Sequence, residues 1–396
     1  MKKTVRDFDF GGKNVIIRAD LNVPIKDGKI SDDTRISASI KTIKYVMDKG
    51  GRVILLSHLG KVKEESDKVK NDLYPVSVRL GELLGKDILF SRDTRGKKLE
   101  EMVASLNDGD VLLVQNTRYE DLDGKKESSC DLELASYWAS LGEIFINDAY
   151  GTSHRKHASN VGVCNYLPSG IGFLVEEEVL KLDSIMNDGT HPFIVIMGGA
   201  KVSDKIKVID NLILKCDKLI IGGGMAYTFL KALNHKVGSS LVDNDSIDFC
   251  KKMLDLYHDK IVLPIDHVVS VSMDSVVTNI KSIDDTLSNE MGLDIGPDTV
   301  SLFCDVLSGA SRVIINGPMG CFENDLYSNG TRAIYDYITT NNIKALVGGG
   351  DSAASVNKLS NKEKFYHIST GGGATLEYLE GKVLPGIGEI DEKEEI

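Results

Sequence analysis

The sequence lacks the patterns typical of a membrane-spanning, disulfide-bonded or zinc-binding protein. No stretch of the 396 residues approaches the roughly 18 consecutive apolar residues of a membrane-spanning helix. The six cysteines include no C-x-x-C pair, so neither a disulfide framework nor a zinc site is indicated. The basic start, Met1 to Asp7, is not followed by the apolar run of a secretory signal. We therefore expect a cytoplasmic protein with reduced thiols and no membrane partner.

The sequence also has fewer basic than acidic residues. The 47 Lys and Arg residues are outnumbered by 59 Asp and Glu residues, which gives a net charge of -12. This charge argues against nucleic acid as a partner of the whole surface, but it permits a local basic cleft. The hydrophobic and charged fractions, 42% and 27%, are ordinary for a globular protein. A chain of this length exceeds one compact core and indicates two domains.

The well-known nucleotide-binding signatures are absent. The sequence contains no G-x-x-x-x-G-K-[ST] loop, and no G-x-G-x-x-G follows a predicted strand. The set of protein-kinase motifs is missing as well. A dehydrogenase of the dinucleotide-binding type is therefore disfavoured, and any phosphate site must be built in another way.

Short runs rich in Val, Ile and Leu recur along the chain, each followed by a polar or glycine-rich turn and often by a helix-period segment. This alternation predicts an α/β fold of two lobes, each a parallel sheet flanked by helices. The predicted strands are Val15–Ile17, Val53–Leu56, Val111–Val114, Ile144–Ile146, Phe193–Met197, Leu219–Ile221, Val313–Ile315, Ala345–Val347 and Phe365–Ile368.

The residues that follow the strands differ between the two halves, and ligands of open parallel sheets bind at these strand ends. In the first half they are polar or basic, in the segments 20–22, 57–61, 116–118 and 148–155. In the second half they are glycines, in the segments 198–201, 222–224, 317–318, 348–351 and 371–373. Arginine forks match a carboxylate or phosphate, whereas glycines let backbone N–H groups approach a phosphate. The sequence thus predicts one lobe for an acidic metabolite and one for a nucleotide.

Each of these features also has a structural explanation. A glycine turn after a strand is usually only a turn, and a lone arginine is usually a solvated surface charge. His58, His154 and His157 are candidates for structural histidines, and Arg18 lies inside an apolar strand where it could be structural.

A hinge is predicted between the two halves. Gly170 to Gly172 precede an amphipathic stretch with apolar residues from Val175 to Met186 at helical spacing. The stretch ends at Asn187 to Gly189, a plausible helix cap and turn. An ordinary surface helix would show the same pattern. The segment Lys61 to Asp72 is predicted to be a charged loop.

Eight segments together resemble phosphoglycerate kinase and occur in that family's order over essentially the whole chain. They are RADLNVP from Arg18, SHLG from Ser57, NDAYGTSHR from Asn147, GGAKVSDK from Gly198, GGGMAYTF from Gly222, NGPMG from Asn316, GGDSA from Gly349 and TGGGA from Thr370. Each motif alone has limited specificity, whereas eight in order are very specific.

The resemblance implies two Rossmann-like lobes joined by a hinge helix and a magnesium-dependent enzyme. The family transfers the acyl phosphate of 1,3-bisphosphoglycerate to ADP, giving 3-phosphoglycerate and ATP, by direct in-line transfer after the lobes close. The implied domains are residues 1–170 for phosphoglycerate, a hinge helix at 171–188, and residues 189–379 for the nucleotide. The tail, 380–396, is expected to pack on the first lobe, and the protein to be a monomer.

The resemblance also implies roles for individual residues. The phosphoglycerate site would comprise Asp20, Leu21, Asn22, Arg35, His58, Leu59, Gly60, Lys61, Arg118 and Arg155. The nucleotide site would comprise Lys205 at the phosphates, Gly224 and Gly292 at the adenine, Glu323 at the ribose, and Gly350, Asp351, Ser352 and Ala353 around the phosphates and Mg²⁺, with Asp351 as the metal ligand. The catalytic groups would be Arg35, Lys201 and Lys205, with backbone N–H groups near Gly371 and Gly372.

The sequence departs from the family pattern at Lys61, where the family usually has arginine after His-Leu-Gly. Lysine keeps the charge but loses the bidentate fork, so a weaker contribution to phosphoglycerate binding is expected. Two alternatives stay open from the sequence: another small-molecule kinase that forms an acyl phosphate, and a catalytically inactive nucleotide-binding homologue.

Overall fold

The computed structural model of the protein describes residues 1–394. The chain forms two compact units. Unit 1 comprises Met1–Leu180 and the C-terminal stretch from Val383, and unit 2 comprises Lys181–Lys382.

Unit 1 is built on a six-stranded parallel sheet with the strand order β5-β6-β4-β1-β7-β8. Its central strands are buried except for the first residues of β1 and β4, as expected for parallel strands that are covered on both faces. The strands of unit 1, including the small antiparallel hairpin of β2 and β3, are β1 (Asn14–Ala19), β2 (Ile25–Lys26), β3 (Lys29–Ile30), β4 (Arg52–Leu56), β5 (Leu89–Ser91), β6 (Val111–Val114), β7 (Ile144–Asp148) and β8 (Ser169–Ile171).

The helices that cover this sheet are amphipathic. In α1, for example, the buried residues Ile36, Ser39, Ile43 and Val46 recur at three- and four-residue spacing, which puts them on one face. The helices that begin in unit 1 are α1 (Thr34–Asp48), α2 (Asp67–Lys70), α3 (Tyr74–Leu84), α4 (Lys97–Ala104), α5 (Leu132–Ala139) and α6 (Phe173–Met186).

The unit boundary at Leu180 falls inside α6. The C-terminal stretch lies on unit 1, where the Gly386 N–H donates to Ser153 O at 2.8 Å and Asn147 Nδ2 donates to Gly386 O at 2.6 Å. The N-terminus joins it, since the Lys3 N–H donates to Asp391 O at 2.8 Å.

Unit 2 contains a second six-stranded parallel sheet with the order β11-β10-β9-β15-β16-β17, and a three-stranded antiparallel sheet with the order β13-β12-β14. Its strands are β9 (Phe193–Met197), β10 (Lys218–Ile221), β11 (Ile261–Val262), β12 (Asp266–Ser270), β13 (Asn279–Ser282), β14 (Met291–Ile295), β15 (Arg312–Asn316), β16 (Lys344–Val347) and β17 (His367–Ile368). The remaining helices, of which α14 lies in unit 1, are α7 (Ile206–Leu212), α8 (Ala226–Ala232), α9 (Ile247–Tyr257), α10 (Pro297–Leu307), α11 (Asn329–Thr340), α12 (Gly350–Leu359), α13 (Gly373–Leu379) and α14 (Pro385–Gly388).

The predicted fold class is confirmed, and every predicted strand overlaps an observed one. The prediction Phe365–Ile368 is too long at its start, because only His367 and Ile368 pair with β16. The segment Lys61–Asp72 is not a loop throughout, since Asp67–Lys70 form the single-turn helix α2. There the Asp67 carboxylate accepts hydrogen bonds from the N–H groups of Lys63 and Glu64.

All six cysteines are free thiols. None of the helices in the described part of the chain is both long and apolar enough to span a membrane.

Candidate functional site

The predicted phosphoglycerate residues lie at the carboxyl ends of neighbouring strands. Asp20 follows β1, His58 follows β4, and Arg118 follows β6. Arg155 lies in the loop after β7. These four strands are adjacent in the sheet, in the order β6-β4-β1-β7, and parallel strands end at the same edge. The topology therefore brings together residues that are up to 135 positions apart, as Asp20 and Arg155 show.

Arg35, in the first turn of α1, is held by the segment after β1. Its Nη1 donates to Asp20 Oδ1 at 3.2 Å and to Asn22 O at 3.1 Å. Its side chain is 41% exposed. Both hydrogen bonds use Nη1, which leaves Nη2 and Nε as donors for a ligand.

His58 lies next to a fully buried arginine. Nη2 of Arg18, on β1, is 3.2 Å from Nδ1 of His58. Burial and the neighbouring charges of Arg18, Arg118, His157 and Arg35 hold the pKa of His58 well below 6.5, so the ring is neutral at pH 7.

The same cations act on a second histidine. Burial, followed by the charges of Arg118, Arg18, Arg155 and His154, lowers the pKa of His157 to about 3. Arg118 donates from Nη1 to Asp121 Oδ2 at 3.0 Å, and its Nε is buried with no hydrogen-bond partner in the described part of the chain. Positive charge thus converges at this edge of the sheet.

The other members of the predicted set make local hydrogen bonds or are exposed. Leu21 and Leu59 are buried, and their N–H groups donate to Ser57 Oγ and Asn116 Oδ1. Gly60 adopts a left-handed φ of 58°, and its N–H donates to Asn22 Oδ1 at 2.9 Å. The Lys61 side chain is exposed.

In unit 2 the glycine loops approach one another very closely. A Cβ on Gly198, after β9, would lie 2.1 Å from Pro318 O, in the loop after β15. Gly199, Gly223 and Gly317 all have φ between 64° and 111°, where a side chain would be strained. These loops need glycine because backbone passes directly against backbone.

Beside these loops lies a cavity of about 470 Å³, a volume suited to a small-molecule ligand. Four predicted nucleotide residues line it: Gly224, Gly292, Glu323 and Asp351. Its apolar lining was not predicted and includes Tyr227, Leu241, Met273, Met291, Met319 and Phe322. The predicted residues Lys201, Lys205, Gly350, Ser352 and Ala353 are not part of this lining.

The Lys205 side chain is hydrogen-bonded to the end of β15, the strand next to β9. Its Nζ donates to Oδ1 of Asn316, the last residue of β15. Burial lowers the pKa of Lys205, and the charges of Asp351 and Asp204 counteract that shift. Two further ammonium protons remain for a phosphate. Lys201 is exposed.

Two helices of unit 2 begin at predicted phosphate residues. Helix α12 begins at Gly350, so Asp351, Ser352 and Ala353 form its first turn, where backbone N–H groups favour anions. Ser352 Oγ accepts a hydrogen bond from the Gly317 N–H at 2.6 Å. Before α13, the N–H of Gly371 donates to Ser369 Oγ at 3.2 Å, and Gly372 caps the helix with φ 49°.

The carboxylate of Asp351 suits Mg²⁺. Across residues 1–394, no group of three or more His, Cys, Asp or Glu side chains is arranged as a metal cage. Mg²⁺ is usually bound by one or two carboxylates together with substrate phosphates and water. A single exposed carboxylate beside a phosphate-suited helix terminus therefore fits Mg²⁺ that arrives with a nucleotide.

Two asparagines that sequence reasoning did not select organise the site. Asn116 donates from Nδ2 to Leu59 O at 2.7 Å and accepts the Arg118 N–H at 3.0 Å. Asn316 accepts from Lys205 and donates from Nδ2 to Gly348 O at 3.0 Å. Each asparagine lies at the carboxyl end of a strand, and this position is the sequence feature from which its role could have been predicted.

The chain is similar to known proteins over nearly its whole length. The family model described as phosphoglycerate kinase matches residues 5–382. A phosphoglycerate kinase of Staphylococcus aureus (strain bovine RF122 / ET3-1) is 53% identical over 397 residues, which cover 99% of this chain and 100% of that protein. The protein of the same name from S. aureus strain JH9 has the same identity and coverage.

Two solved structures are similar over 98% of both chains. The phosphoglycerate kinase from Coxiella burnetii has a TM-score of 0.89 at 34% sequence identity. The phosphoglycerate kinase from Pyrococcus horikoshii OT3 has a TM-score of 0.84 at 29% identity.

Proposed function

The chain belongs to the phosphoglycerate kinase family, and from this premise we propose which of its residues bind each substrate. The enzyme is a phosphotransferase with a carboxyl group as acceptor. It transfers a phosphoryl group reversibly between 1,3-bisphosphoglycerate and ADP, giving 3-phosphoglycerate and ATP, a step of glycolysis.

In this proposal unit 1 binds phosphoglycerate. The main support is that several cationic side chains lie close together at its strand ends. Arg18 Nη2 lies 3.2 Å from Nδ1 of His58, and Arg35 is held at Asp20, at the end of the adjacent strand. Burial, followed by the charges of Arg18, Arg118, His157 and Arg35, depresses the pKa of His58, as expected where these cations converge. Arg155 joins them around His157. A substrate that carries a carboxylate and a phosphate would neutralise this excess positive charge.

Unit 2 binds the nucleotide. The apolar part of the cavity suits a flat base beside Gly224 and Gly292, and the exposed carboxylate of Glu323 suits ribose hydroxyls. Lys205 and the first turn of α12 would hold the phosphates.

Asp351 would hold the Mg²⁺ that accompanies the nucleotide. The metal would neutralise part of the phosphate charge that develops during transfer. The remaining charge falls to side chains of the protein, and Arg35 and Lys201 are the proposed donors. Arg35 keeps two nitrogen donors available in the described contacts, and Lys201 is exposed in the loop after β9.

No general base is needed when ADP attacks, because its phosphate oxygen is already ionised. Catalysis then depends on alignment of the reacting groups and on cationic stabilisation. The backbone at Gly371 and Gly372 is proposed to assist, although the Gly371 N–H is already donated to Ser369 Oγ.

From the family resemblance we also propose that the enzyme acts as a monomer in the cytoplasm. Size-exclusion chromatography with light scattering tests the first point, because a dimer would double the mass of 43.2 kDa.

The deciding experiment is a coupled assay with 3-phosphoglycerate, ATP and Mg²⁺ that reports 1,3-bisphosphoglycerate through its reduction. We expect turnover that requires all three components. An Asp351→Asn variant should need more Mg²⁺ for half-maximal rate. Folded protein that binds ATP without any turnover would contradict the assignment of the catalytic residues.

A further inference from the structure

Arg18 is a fully buried charge in the middle of the unit 1 sheet. Its guanidinium makes hydrogen bonds on three sides. Nη1 donates to Ala19 O at 2.6 Å, Nε donates to Ser159 Oγ at 2.8 Å, and Nη2 is 3.2 Å from Nδ1 of His58. A buried charge is retained only where its hydrogen bonds are satisfied.

The contact between Arg18 and His58 assigns the histidine tautomer. A guanidinium has five N–H donors and no acceptor. Nδ1 of His58 must therefore be the acceptor, and the single proton of the neutral ring is on Nε2. His58 thus presents an N–H donor on the side of the ring that faces away from Arg18.

Arg18 is also linked, through Ser159, to a buried carboxylate. Glu127 is fully buried, and its Oε1 accepts the Ser159 hydroxyl proton at 2.5 Å while its Oε2 accepts the Ser159 N–H at 3.0 Å. Because the hydroxyl proton of Ser159 points to Glu127, its oxygen lone pairs face Nε of Arg18. Arg18 therefore donates both to His58 and to Ser159, and Ser159 in turn donates to Glu127.

Within this series of hydrogen bonds, the positive charge of Arg18 is balanced by the negative charge of Glu127. Burial raises the pKa of the Glu127 carboxyl, and the charge of Arg18 together with hydrogen bonds from Ser159 counteracts the shift. Within the described contacts, Glu127 and Ser159 make no hydrogen bond to His58 itself and are linked to it through Arg18.

We propose that Glu127 is a positioning residue: through Ser159 and Arg18 it fixes His58 in the Nε2–H tautomer that donates to phosphoglycerate. The inference rests on the proposed function of unit 1. Without the negative charge of Glu127, Arg18 would lose its anchor, and His58 would populate the tautomer that carries its proton on Nδ1.

The first test is the tautomer itself, measured in the substrate-free full chain. The ¹⁵N shifts of the imidazole distinguish the two tautomers in protein labelled with ¹⁵N-histidine. The chain has eight histidines, so the His58 signals are assigned by their loss in His58→Gln. We expect the wild type to show the Nε2–H form and Glu127→Gln to show a mixture.

A second pair of variants covers the case in which Glu127→Gln does not fold. Ser159→Ala removes the hydroxyl that joins Glu127 to Arg18, whereas Ser159→Thr retains it. We expect Ser159→Ala to shift the tautomer and Ser159→Thr to keep the wild-type form.

The kinetic test compares the KM for 3-phosphoglycerate with the KM for ATP. Glu127→Gln should raise the former roughly tenfold or more, the loss expected for one charge-assisted hydrogen bond, and leave the latter unchanged. In the His58→Gln background, where a side-chain amide replaces the ring donor, the added effect of Glu127→Gln should fall below about twofold.

A wild-type His58 tautomer in folded Glu127→Gln or folded Ser159→Ala overturns the inference. An unchanged KM for 3-phosphoglycerate together with a shifted tautomer overturns the role in substrate binding. If His58→Gln itself leaves that KM unchanged, the proposed contact of His58 with substrate is wrong, and the tautomer measurement still decides the role of Glu127.

Discussion

Gly292 offers the sharpest test of the nucleotide cavity. It lies on β14, lines the cavity, and packs over the buried Tyr227. A Cβ at position 292 would lie 1.7 Å from Tyr227 Oη and 2.2 Å from its Cζ. Real Cβ atoms do not approach other atoms so closely, so Gly292→Ala forces either the strand or the tyrosine to move.

The tyrosine is poorly able to move. Its hydroxyl is 3.1 Å from Nδ1 of His267, and Nε2 of His267 is 2.7 Å from Thr286 Oγ1. Gly292 also pairs with Val269 of β12 in the small sheet. The strain is therefore expected to push β14 into the cavity.

Overpacking of this kind costs about 1–3 kcal/mol of folding stability. If half of that strain opposes nucleotide binding, the binding free energy weakens by about 0.5–1.5 kcal/mol, which corresponds to roughly a two- to twelvefold rise in the nucleotide KM. We expect Gly292→Ala to show both effects.

The assay measures the KM for ATP and for 3-phosphoglycerate together with urea unfolding. Only the KM for ATP should rise, since Gly292 lies in unit 2. Gly11→Ala is the matched control, because its Cβ would meet no atom closer than 3.7 Å. The double variant Gly292→Ala with Tyr227→Phe should recover only part of the stability, because it removes the contact with Oη at 1.7 Å but leaves the contact with Cζ at 2.2 Å.

A folded Gly292→Ala protein with a wild-type KM for ATP would refute the placement of the nucleotide beside β14. Equal rises in both KM values would instead indicate a general distortion and would equally contradict the reasoning.

Three further predictions concern other parts of the molecule. Arg35→Ala should lower turnover by roughly 10³ or more with little change in the unfolding midpoint, and near-normal turnover in the folded variant would remove Arg35 from catalysis. Lys61→Arg should lower the KM for 3-phosphoglycerate, because arginine restores a bidentate donor; an unchanged or higher KM would contradict this. Burial raises the pKa of Asp148 to about 7 from 3.8, so the folded state retains a proton that the unfolded chain releases as the pH rises between these values. The contribution of Asp148 to stability should therefore fall by up to about 4 kcal/mol over that interval. Burial also raises the pKa of Asp294 to about 7, so Asp148→Asn should reduce, and not abolish, the fall in urea unfolding measured at pH 4, 5.5 and 8; the same pH dependence in both proteins would show that another group is responsible.

Much of the fold could be predicted because parallel strands leave a clear pattern. Strands buried on both faces, such as Val111–Val114 and Phe193–Met197, are continuous apolar runs. The short strands β5 and β8 were not predicted. Each has only three residues, including Ser91 in β5 and Gly170 in β8, and three such residues show no hydrophobic period. The antiparallel sheet of unit 2 was missed for a related reason, since β13 is mostly exposed and carries polar residues.

The site could be predicted only in part. Residues at strand ends were identifiable, because the carboxyl ends of parallel strands mark the binding edge. The apolar lining of the cavity was not, since Leu241 and Met273 lie in segments that carry no recognisable motif.

The sequence by itself determined the two-lobed α/β architecture, the basic strand ends of the first half and the glycine loops of the second. Those properties depend on periodicity and on residue type, which are local. Only the tertiary structure decided which of the buried groups act together. Glu127 and Ser159 are 32 positions apart, and Ser159 is 141 positions from Arg18, so no local pattern links them. Their hydrogen bonds exist because the fold buries all three polar groups in one place, where Ser159 joins the guanidinium of Arg18 to the carboxylate of Glu127.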